Sequence, residues 1–360
     1  MLTYLIRRML LMIPTVIGVT AASFFIIALS PGGLGGALLS PDAQLRPEER
    51  KVIMAYYNER YGLDKPVIVQ YLRWLNRVSP ISLKGRDQGF PRGLSFGFKA
   101  PDLGESWQRH RPVSDLILEA MPVTLLLEFI SLPVIYSIAI GTGVRAARSR
   151  GKLADVGLGT ILIGLYSLPE IWIGVLMIGF LTNRQIIHLF PSNGLHDITA
   201  DAMPFLPSFG PDGFERGWLL DTAWHLVLPV LCLSYTSFAF ISRLMRGAML
   251  ETLGADFIRT ARAKGLAERF VVYRHAFRNS LMPLITVAAY ILPGILSGAV
   301  IIETIFGVPG MGRLSVEAAQ QTDRELMMAL SLIFGLVLML SFLIADIAYA
   351  IADPRVSYVD

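Results

Sequence analysis

The sequence predicts an all-α polytopic membrane protein with six transmembrane helices, and three observations support that prediction. Only 17% of the 360 residues are charged and 53% are hydrophobic, whereas soluble proteins carry about 25% charged residues. The apolar residues fall into continuous runs of roughly 20 residues, the length that crosses the hydrocarbon core of a bilayer. The short segments between these runs alternate between basic and acidic, as expected of a chain that crosses a membrane repeatedly.

The first apolar run covers residues 9–29 and follows Arg7 and Arg8. A cleaved signal peptide is the alternative interpretation, because Ala28 and Ser30 are small. The apolar run is longer than the roughly 7–15 residues of a signal-peptide core, however, and Pro31 would lie just past the cleavage site. We therefore expect residues 1–30 to form a retained transmembrane helix with a cytoplasmic N-terminus.

A long region without an apolar run, residues 31–115, follows the first helix and is predicted to be external. It opens with PGGLGG, a cluster that ends the helix. Residues 47–61 are predicted to be helical, ending at Gly62, and residues 67–78 form a second predicted helix. The second helix has apolar residues at helical spacing: Tyr71, Trp74, Leu75 and Val78. Residues 84–104 are rich in Gly and Pro and are predicted to be a loop.

The remaining chain, residues 116–352, is predicted to hold five further helices and a basic loop over residues 243–280. The predicted spans are 117–144, 156–181, 222–242, 281–306 and 326–352. The loop RAARSRGK has four basic residues and no acid, so it belongs on the cytoplasmic side. The segment 182–221 has two basic and five acidic residues and belongs outside. With the glycine-rich loop after residue 306 also outside, both termini, including the tail 353–360, are cytoplasmic.

Five ionisable residues lie within or near the predicted spans, where charges are rare and are functional candidates: Glu128, Glu170, His225, Glu303 and Asp346. Glu170 follows Pro169 near mid-span, and it either lines a translocation path or makes a structural hydrogen bond. Glu303 and Asp346 lie near helix ends, where water is close, so a structural role is favoured. Glu128 is expected to pair with a neighbouring helix, and His225, beside Trp224, to anchor at the interface.

The spans also contain many prolines and glycines, which either kink and pack the helices or make them line a path that opens and closes. The candidate path residues are Tyr166, Pro169, Glu170, Pro293, Gly294 and Gly298.

Catalytic, nucleotide-binding and metal-binding motifs are absent from the sequence. There is no GxxxxGK[ST], HExxH or GxSxG motif, and the five histidines lack metal-ligand spacing. Cys232 lies in an apolar run and is expected to be a small core residue. The basic residues beside the spans are explained by membrane orientation, so no nucleic-acid partner is predicted. An active transporter built on this chain must take its energy from another subunit.

The basic segment at residues 251–283 is predicted to be a structured docking element on the cytoplasmic side. Residues 257–264 form a short predicted helix, with Asp256 as its N-cap and Gly265 as its stop. Phe257, Ile258 and Ala261 share one arc of that helix, an apolar knob suited to a pocket in a soluble partner. Arg259 and Arg262 project from another arc.

The positively charged loop could instead serve only to orient the chain, but that explanation leaves the amphipathic pattern unexplained. Phe270, Tyr273 and Phe277 are expected to share one face and hold the loop against the membrane domain.

The segment DFIRTARAKGLAERFVVYRHAFRNSLMPLIT closely resembles the cytoplasmic loop of permease subunits of peptide-type ATP-binding cassette importers, the dipeptide/oligopeptide/nickel family. The pieces YGLDKPVIVQYLRWL, DLGESWQRHRPVSDLI, HLVLP, IFGVPGMGRL and DPRV are similar to that family in the same order, so the resemblance covers nearly the whole chain. In the broader importer class the loop motif is EAAxxxG. Ala261 and Gly265 fit that spacing, but Arg259 and Thr260 replace its Glu and first Ala, a departure usual in the peptide family.

The resemblance implies the six-helix fold of a type I importer permease in a bacterial cytoplasmic (inner) membrane. It implies a second homologous permease, two ATPase subunits that use ATP and Mg, an extracytoplasmic solute-binding protein, and peptide-like substrates, with no cofactor on this chain. The residues implied in ATPase coupling are Asp256, Phe257, Ile258, Arg259, Ala261, Arg262, Lys264 and Gly265. An ATP-independent secondary transporter or channel is the alternative, but it would need an internal repeat or a mid-membrane ion site.

Overall fold

The computed structural model describes residues 2–30, 47–84, 95–106, 108–210, 213–288 and 300–352. The chain is mostly helical in these ranges, as the sequence predicts. The described residues divide into two compact units, one built on those within 120–314 and 337–352 and the other on those within 2–119 and 315–336.

The first half of the chain carries three helices, two short hairpins and then two long helices with a shorter one. These elements are α1 (Leu2–Leu29), α2 (Pro47–Tyr61), α3 (Val67–Val78), β1 (Ile81–Lys84), β2 (Ser95–Phe98), β3 (Glu105–Ser106), β4 (Arg111–Pro112), α4 (Val113–Arg148), α5 (Leu153–Ser167) and α6 (Glu170–Met177). A π-helical turn, Ile178–Thr182, continues α6.

The second half begins with a short 3₁₀ turn at Ala200–Ala202 and a hairpin. Its elements are β5 (Ser208–Gly210), β6 (Gly213–Glu215), α7 (Gly217–Leu253), α8 (Asp256–Ala263), α9 (Glu268–Phe270), a π-helical stretch (Val271–Ala276), α10 (Phe277–Ser280), α11 (Val300–Ile305), α12 (Met311–Gln320) and α13 (Arg324–Ala352). Each of the three hairpins is a two-stranded antiparallel pair.

Four of the described helices are long and apolar enough to cross a membrane. These segments are Ile6–Leu29, Val113–Arg148, Gly217–Leu253 and Arg324–Ile344, and they coincide with the predicted first, second, fourth and sixth spans. The predicted fifth span includes residues 289–299, which lie outside the described residues. The helix α7 continues eleven residues past the predicted end at residue 242, so the front of the predicted basic loop is helical.

The third predicted span is broken, so its prediction as one continuous helix is wrong. The helices α5 and α6 meet at an angle of 93° and together form one candidate span. The break falls at Leu168 and Pro169. Proline lacks an N–H group and disfavours the helical conformation in the residue before it, which explains why the helix stops there.

In the unit that contains α1, aromatic side chains from three helices pack together. The ring of Phe24 lies 5.5 Å from that of Tyr71 and 5.8 Å from that of Trp74, and Tyr61 is fully buried beside them. Tyr71 Oη also donates a hydrogen bond to the Ile17 carbonyl at 3.0 Å. The predicted bounds of α2 and α3 are confirmed.

The same unit holds a buried ion pair. Arg60 contacts Glu325 at 3.1 Å and Asp102 at 2.8 Å. The carboxylate of Glu325 is only 1% exposed.

The predicted loop over residues 84–104 is wrong in part, because Ser95–Phe98 pairs with Ile81–Lys84 in a hairpin. Residues 85–94 lie outside the described ranges.

In the other unit, a cluster of buried side chains joins α4, α7 and the segment that follows α7. Its members include Ala139, Met245, Met249, Ile258 and Val271, which are all fully buried. Because these apolar groups come from elements more than 100 residues apart in sequence, their burial positions residues 254–280 against the two long helices.

Candidate functional site

Residues 254–280, here called the docking segment, form a folded unit at the end of α7. Ala255 has extended backbone angles and occupies the N-cap position of α8, with no side-chain capping bond. The prediction that Asp256 is the N-cap is therefore wrong by one residue. Asp256 is instead the first residue of the helix, where its negative charge still interacts favourably with the positive end of the helix dipole. Gly265 ends the helix with a φ of +76°, as predicted.

The apolar arc of α8 faces mostly inward. Ile258 is 0% exposed and Ala261 is 7% exposed, and both belong to the buried cluster. Phe257 is 47% exposed, since it lies at the edge of that arc. The predicted apolar knob is thus wrong for two of its three residues, because the chain's own core competes for them. Phe257 alone remains exposed for a partner.

The residues after α9 pack through a different face from the predicted one. Val271, Val272 and Ala276 are buried, whereas Phe270 and Tyr273 are about half exposed. The chain is π-helical over Val271–Ala276, and this wider turn rotates the side chains relative to an α-helix. The predicted face is therefore wrong for Phe270. Tyr273 is half exposed but contacts Arg148 of α4, and Phe277 is partly buried against the cluster.

Hydrogen bonds fasten the end of the docking segment to α7. Ser280 Oγ lies 3.2 Å from the Ala248 carbonyl and 3.0 Å from Thr252 Oγ1. On the other side, the Arg148 guanidinium lies 5.7 Å from the centre of the Tyr273 ring and donates to its hydroxyl at 3.3 Å. The segment is therefore tied to α7 and α4 by polar as well as apolar contacts.

Charged groups close the turn that contains Gly265. Arg262 donates two hydrogen bonds to Glu268, at 2.8 and 3.1 Å, in a bidentate pair. The hydrogen bond from Arg262 lowers the pKa of the Glu268 carboxyl, and the same bond raises the pKa of Arg262. Both side chains are substantially exposed, so the pair shapes the turn and contributes little net stability.

The exposed surface of the docking segment combines apolar and cationic groups. We call the following set the docking face: Phe257, Arg259, Lys264, Leu266 and Phe270. Arg259 contacts Asp256 at 3.3 Å, and both side chains are largely in solvent. A surface of this kind can bind a soluble partner that offers an apolar depression with acidic groups around it.

The candidate path residues Tyr166, Pro169 and Glu170 lie together at the break between α5 and α6. Glu170 accepts a hydrogen bond from Thr236 Oγ1 at 2.8 Å. The Leu168 carbonyl accepts one from Tyr235 at 2.7 Å. These bonds hold the broken backbone to α7. The other candidates, Pro293, Gly294 and Gly298, lie outside the described residues.

A groove of about 750 Å³ runs between α5 and α7. Its aromatic end is formed by Tyr166 and Phe240, whose rings stack with centroids 6.5 Å apart. At the opposite end, Asp155 makes a bidentate pair with Arg246 at 2.6 and 2.8 Å. Arg243 also lines the groove. In the sequence, Arg243 is only one cation of the basic loop, and no pattern marks Thr236 or Phe240 as functional.

Glu303 is buried rather than near water, so its predicted environment is wrong. It is 0% exposed and accepts hydrogen bonds from Thr124 Oγ1 at 2.7 Å and from the Arg313 backbone N–H at 2.9 Å. A Cβ atom at Gly310 would collide with this carboxyl group. Glu303 therefore shapes the glycine-rich loop that follows α11 and ties it to α4.

The other ionisable candidates, His225, Glu128 and Asp346, are buried or partly buried in the protein. His225 is 8% exposed and its Nδ1 lies 2.9 Å from the Asp221 carbonyl, so it is not an interfacial anchor. Trp224 suits that position better, since it is partly exposed and its indole donates to the Leu189 carbonyl at 3.1 Å. Glu128 is 7% exposed and Asp346 is partly buried.

Cys232 is fully buried, as predicted for a core residue. Within the described ranges, no cluster of His, Cys, Asp or Glu could hold a metal ion.

The apolar spans and the broken helix define a multi-pass membrane protein, and residues 254–280 add a folded, partly exposed segment at the end of α7. Two family models match the chain. One, described as "Binding-protein-dependent transport system inner membrane component", matches residues 139–358, and its N-terminal counterpart matches residues 1–128. The chain belongs to this family of inner membrane transport components.

The similarity to known permeases covers nearly the whole chain. The oligopeptide transport system permease protein AppB of Bacillus subtilis is 34% identical, over 99% of this chain and 100% of its own length. The di/tripeptide transport system permease protein DppB of Pseudomonas aeruginosa is 34% identical, over 99% of both chains. A solved inward-facing structure of the MetNI methionine ABC transporter has a TM-score of 0.49 and 18% identity, and it covers 66% of this chain and 96% of its own.

Proposed function

We propose that this chain is the membrane-spanning permease subunit of an ATP-driven importer for peptides or similar solutes. The full-length similarity to oligopeptide and di/tripeptide permeases carries this proposal. ATP and Mg act on separate ATPase subunits, and this chain supplies part of the path and the contact that couples it to them. An ATP-independent transporter or channel has no comparable support.

The proposed assembly contains a second homologous permease, two ATPase subunits on the cytoplasmic side and an extracytoplasmic solute-binding protein. In this arrangement the chain crosses the membrane six times with both termini in the cytoplasm. The docking segment is then cytoplasmic, and residues 31–115 face the binding protein. The excess of basic residues in RAARSRGK and in the docking segment supports this orientation.

The docking segment is proposed to couple ATP hydrolysis to transport. All eight predicted coupling residues lie in or beside α8, but their roles differ. Ile258 and Ala261 position the helix from beneath, because they are buried. Phe257, Arg259 and Lys264 make the contact with the ATPase. Gly265 permits the turn, and Arg262, paired with Glu268, holds its shape.

The broken span is the proposed wall of the translocation path. Backbone that leaves the helix at membrane depth is tolerated where it is buried in protein or lines a cavity. Tyr166, Pro169 and Glu170 lie at this break, and Pro293, Gly294 and Gly298 are further proposed path residues. The hydrogen bond from Thr236 fixes Glu170, but a carboxylate can accept bonds at its other oxygen as well.

The proposal is tested on the assembled complex with its binding protein and ATPases in lipid nanodiscs. Short peptides are expected to stimulate ATP hydrolysis, and charge reversal by Arg259→Glu is expected to abolish most of that stimulation. Arg184→Glu, which reverses an exposed cation in the segment 182–221, is the matched control. Full stimulation in Arg259→Glu would remove the coupling role, and no stimulation by any peptide would contradict peptide transport.

A further inference from the structure

One face of α7 carries a polar and charged series that runs from the break between α5 and α6 into the groove described above. Thr236, Phe240 and Arg243 are spaced at i, i+4 and i+7, so they lie on the same side of the helix. Thr236 holds Glu170 at the break, Phe240 stacks on Tyr166, and Arg243 lines the groove. Along this face the order is therefore an anion, an aromatic pair and a cation.

The dimensions of this series match a short peptide. Seven residues of helix separate Thr236 from Arg243, which is about 10.5 Å along the axis. An extended peptide advances at most about 3.3–3.6 Å per residue, so three residues cover about 10 Å. The groove volume of about 750 Å³ lies within the range of roughly 300–1,000 Å³ that is typical of small-ligand sites.

The charged side chains that line the groove differ in whether they already have an ion-pair partner. Asp155 and Arg246 satisfy each other in a bidentate pair. Among the described residues, Arg243 has no ion-pair partner, and its side chain is exposed along the groove. A planar guanidinium in this setting suits a carboxylate, which it can bind through two parallel hydrogen bonds.

We propose that this groove, together with the helix break beside its aromatic end, binds a peptide of about three residues, with its C-terminal carboxylate on Arg243 and its N-terminal ammonium near Glu170. The stacked rings of Tyr166 and Phe240 contact the middle of the peptide. This inference rests on the proposed function, and it assigns the substrate's two termini to two particular residues. In the proposed orientation the carboxylate end leads toward the cytoplasm.

The test measures groove access directly, in the assembled complex in nanodiscs without binding protein. Thr160→Cys places a thiol on the groove wall, while Cys232 is fully buried and provides the unreactive background. Labelling by a methanethiosulfonate reagent is followed at increasing concentrations of trialanine, trialanine amide and N-acetyl-trialanine. The concentration that halves the labelling rate reports occupancy of the groove.

Trialanine is expected to protect the introduced thiol at lower concentrations than either blocked peptide, by about tenfold, the size of one charge-assisted hydrogen bond. Arg243→Gln is expected to weaken protection by trialanine but not by its amide. Glu170→Gln, which keeps an acceptor for Thr236, weakens protection by trialanine but not by the N-acetyl peptide. Arg243→Lys retains most of the preference for a free carboxylate, and Arg184→Gln changes nothing.

Several results would overturn the inference. Equal protection by free and amidated peptides removes Arg243 as the carboxylate site. Labelling that responds to added phosphatidylglycerol but not to peptide assigns the groove to an anionic lipid. A thiol that is unreactive before any peptide is added shows that the second permease covers the groove. Peptide-stimulated ATP hydrolysis, measured on the same complex with binding protein, separates each of these failures from a failure of the proposed function.

Discussion

Phe257 and Ile258 are neighbours in sequence, but Phe257 is half exposed and Ile258 is fully buried. Truncating each one therefore distinguishes a residue that contacts the ATPase from one that positions α8. Phe257 is 47% exposed, so about half of its surface is free to be buried by the ATPase. Full burial of such a side chain is worth about 1.5–3 kcal/mol. Phe257→Ala is therefore expected to lose about 1 kcal/mol of docking free energy, close to a fivefold rise in Kd. Its thermal stability should fall much less than that of Ile258→Ala, because only half of the Phe257 side chain is packed in the fold.

Ile258→Ala is expected to act in the opposite way. Ile258 is fully buried among α4, α7 and the π-helical stretch. Removing three carbons from such a site costs about 2–5 kcal/mol of folding free energy. The isolated permease pair should therefore unfold at lower temperature, and docking should weaken only because α8 is less well ordered.

The assay titrates the purified ATPase subunit onto immobilised permease pair, with thermal unfolding measured on the same samples. Phe257→Ala should raise Kd with only a small change in Tm, and Ile258→Ala should lower Tm strongly. Binding of the ATPase by Phe257→Ala as tightly as by the unaltered chain would refute a contact role for Phe257. That role is also refuted if the two variants lose stability equally.

Three further predictions concern single features of the chain. Gly265→Ala, at a φ of +76°, should cost about 1–2 kcal/mol of local stability, seen as faster amide exchange in residues 256–268. The pKa of Glu268 is lowered by Arg262, so their pair is formed above the usual carboxyl pKa of about 4.3 and lost as pH falls below it. Amide protection factors in the turn, which are corrected for the intrinsic pH dependence of exchange, should therefore fall there in the unaltered chain and stay flat in Arg262→Gln. Glu303→Ala removes the acceptor for the buried Thr124 O–H and for the Arg313 backbone N–H and should lower stability by about 1–3 kcal/mol, whereas Glu303→Gln, which keeps an acceptor, should lose less in the same thermal unfolding assay.

Strong local signals predicted most of the elements from the sequence. The bounds of α2 and α3 were predictable because Gly62 ends one helix and regular apolar spacing marks the other. The apolar runs located four spans through their length alone. Pro169 was noted, but a proline in an apolar run predicts either a kink or a break. Only the packing against Tyr235 and Thr236 decides that α5 and α6 bend by 93°.

The docking segment shows why site geometry was harder to predict than site location. Its position, its short helix and Gly265 followed from composition and spacing. The face that points to solvent could not be predicted in this way. An amphipathic helix has an apolar arc whether that arc is covered by a partner or by its own chain. Here the cluster around Met245 and Met249 covers Ile258. Likewise, the period of an α-helix predicted that Phe270, Tyr273 and Phe277 share the inward face. The chain is π-helical over Val271–Ala276, and Val271, Val272 and Ala276 are the residues that face inward.

The burial of α8 on two long helices has a mechanical consequence. Ile258 and Ala261 are packed in the same cluster as Val144 and Ala147 of α4 and Met249 of α7. Close-packed interiors deform little under load, so a force applied at Phe257 is not absorbed by a flexing loop. In the proposed complex it would be transmitted to the ends of α4 and α7 together, because the packing beneath α8 keeps this helix from moving independently of them.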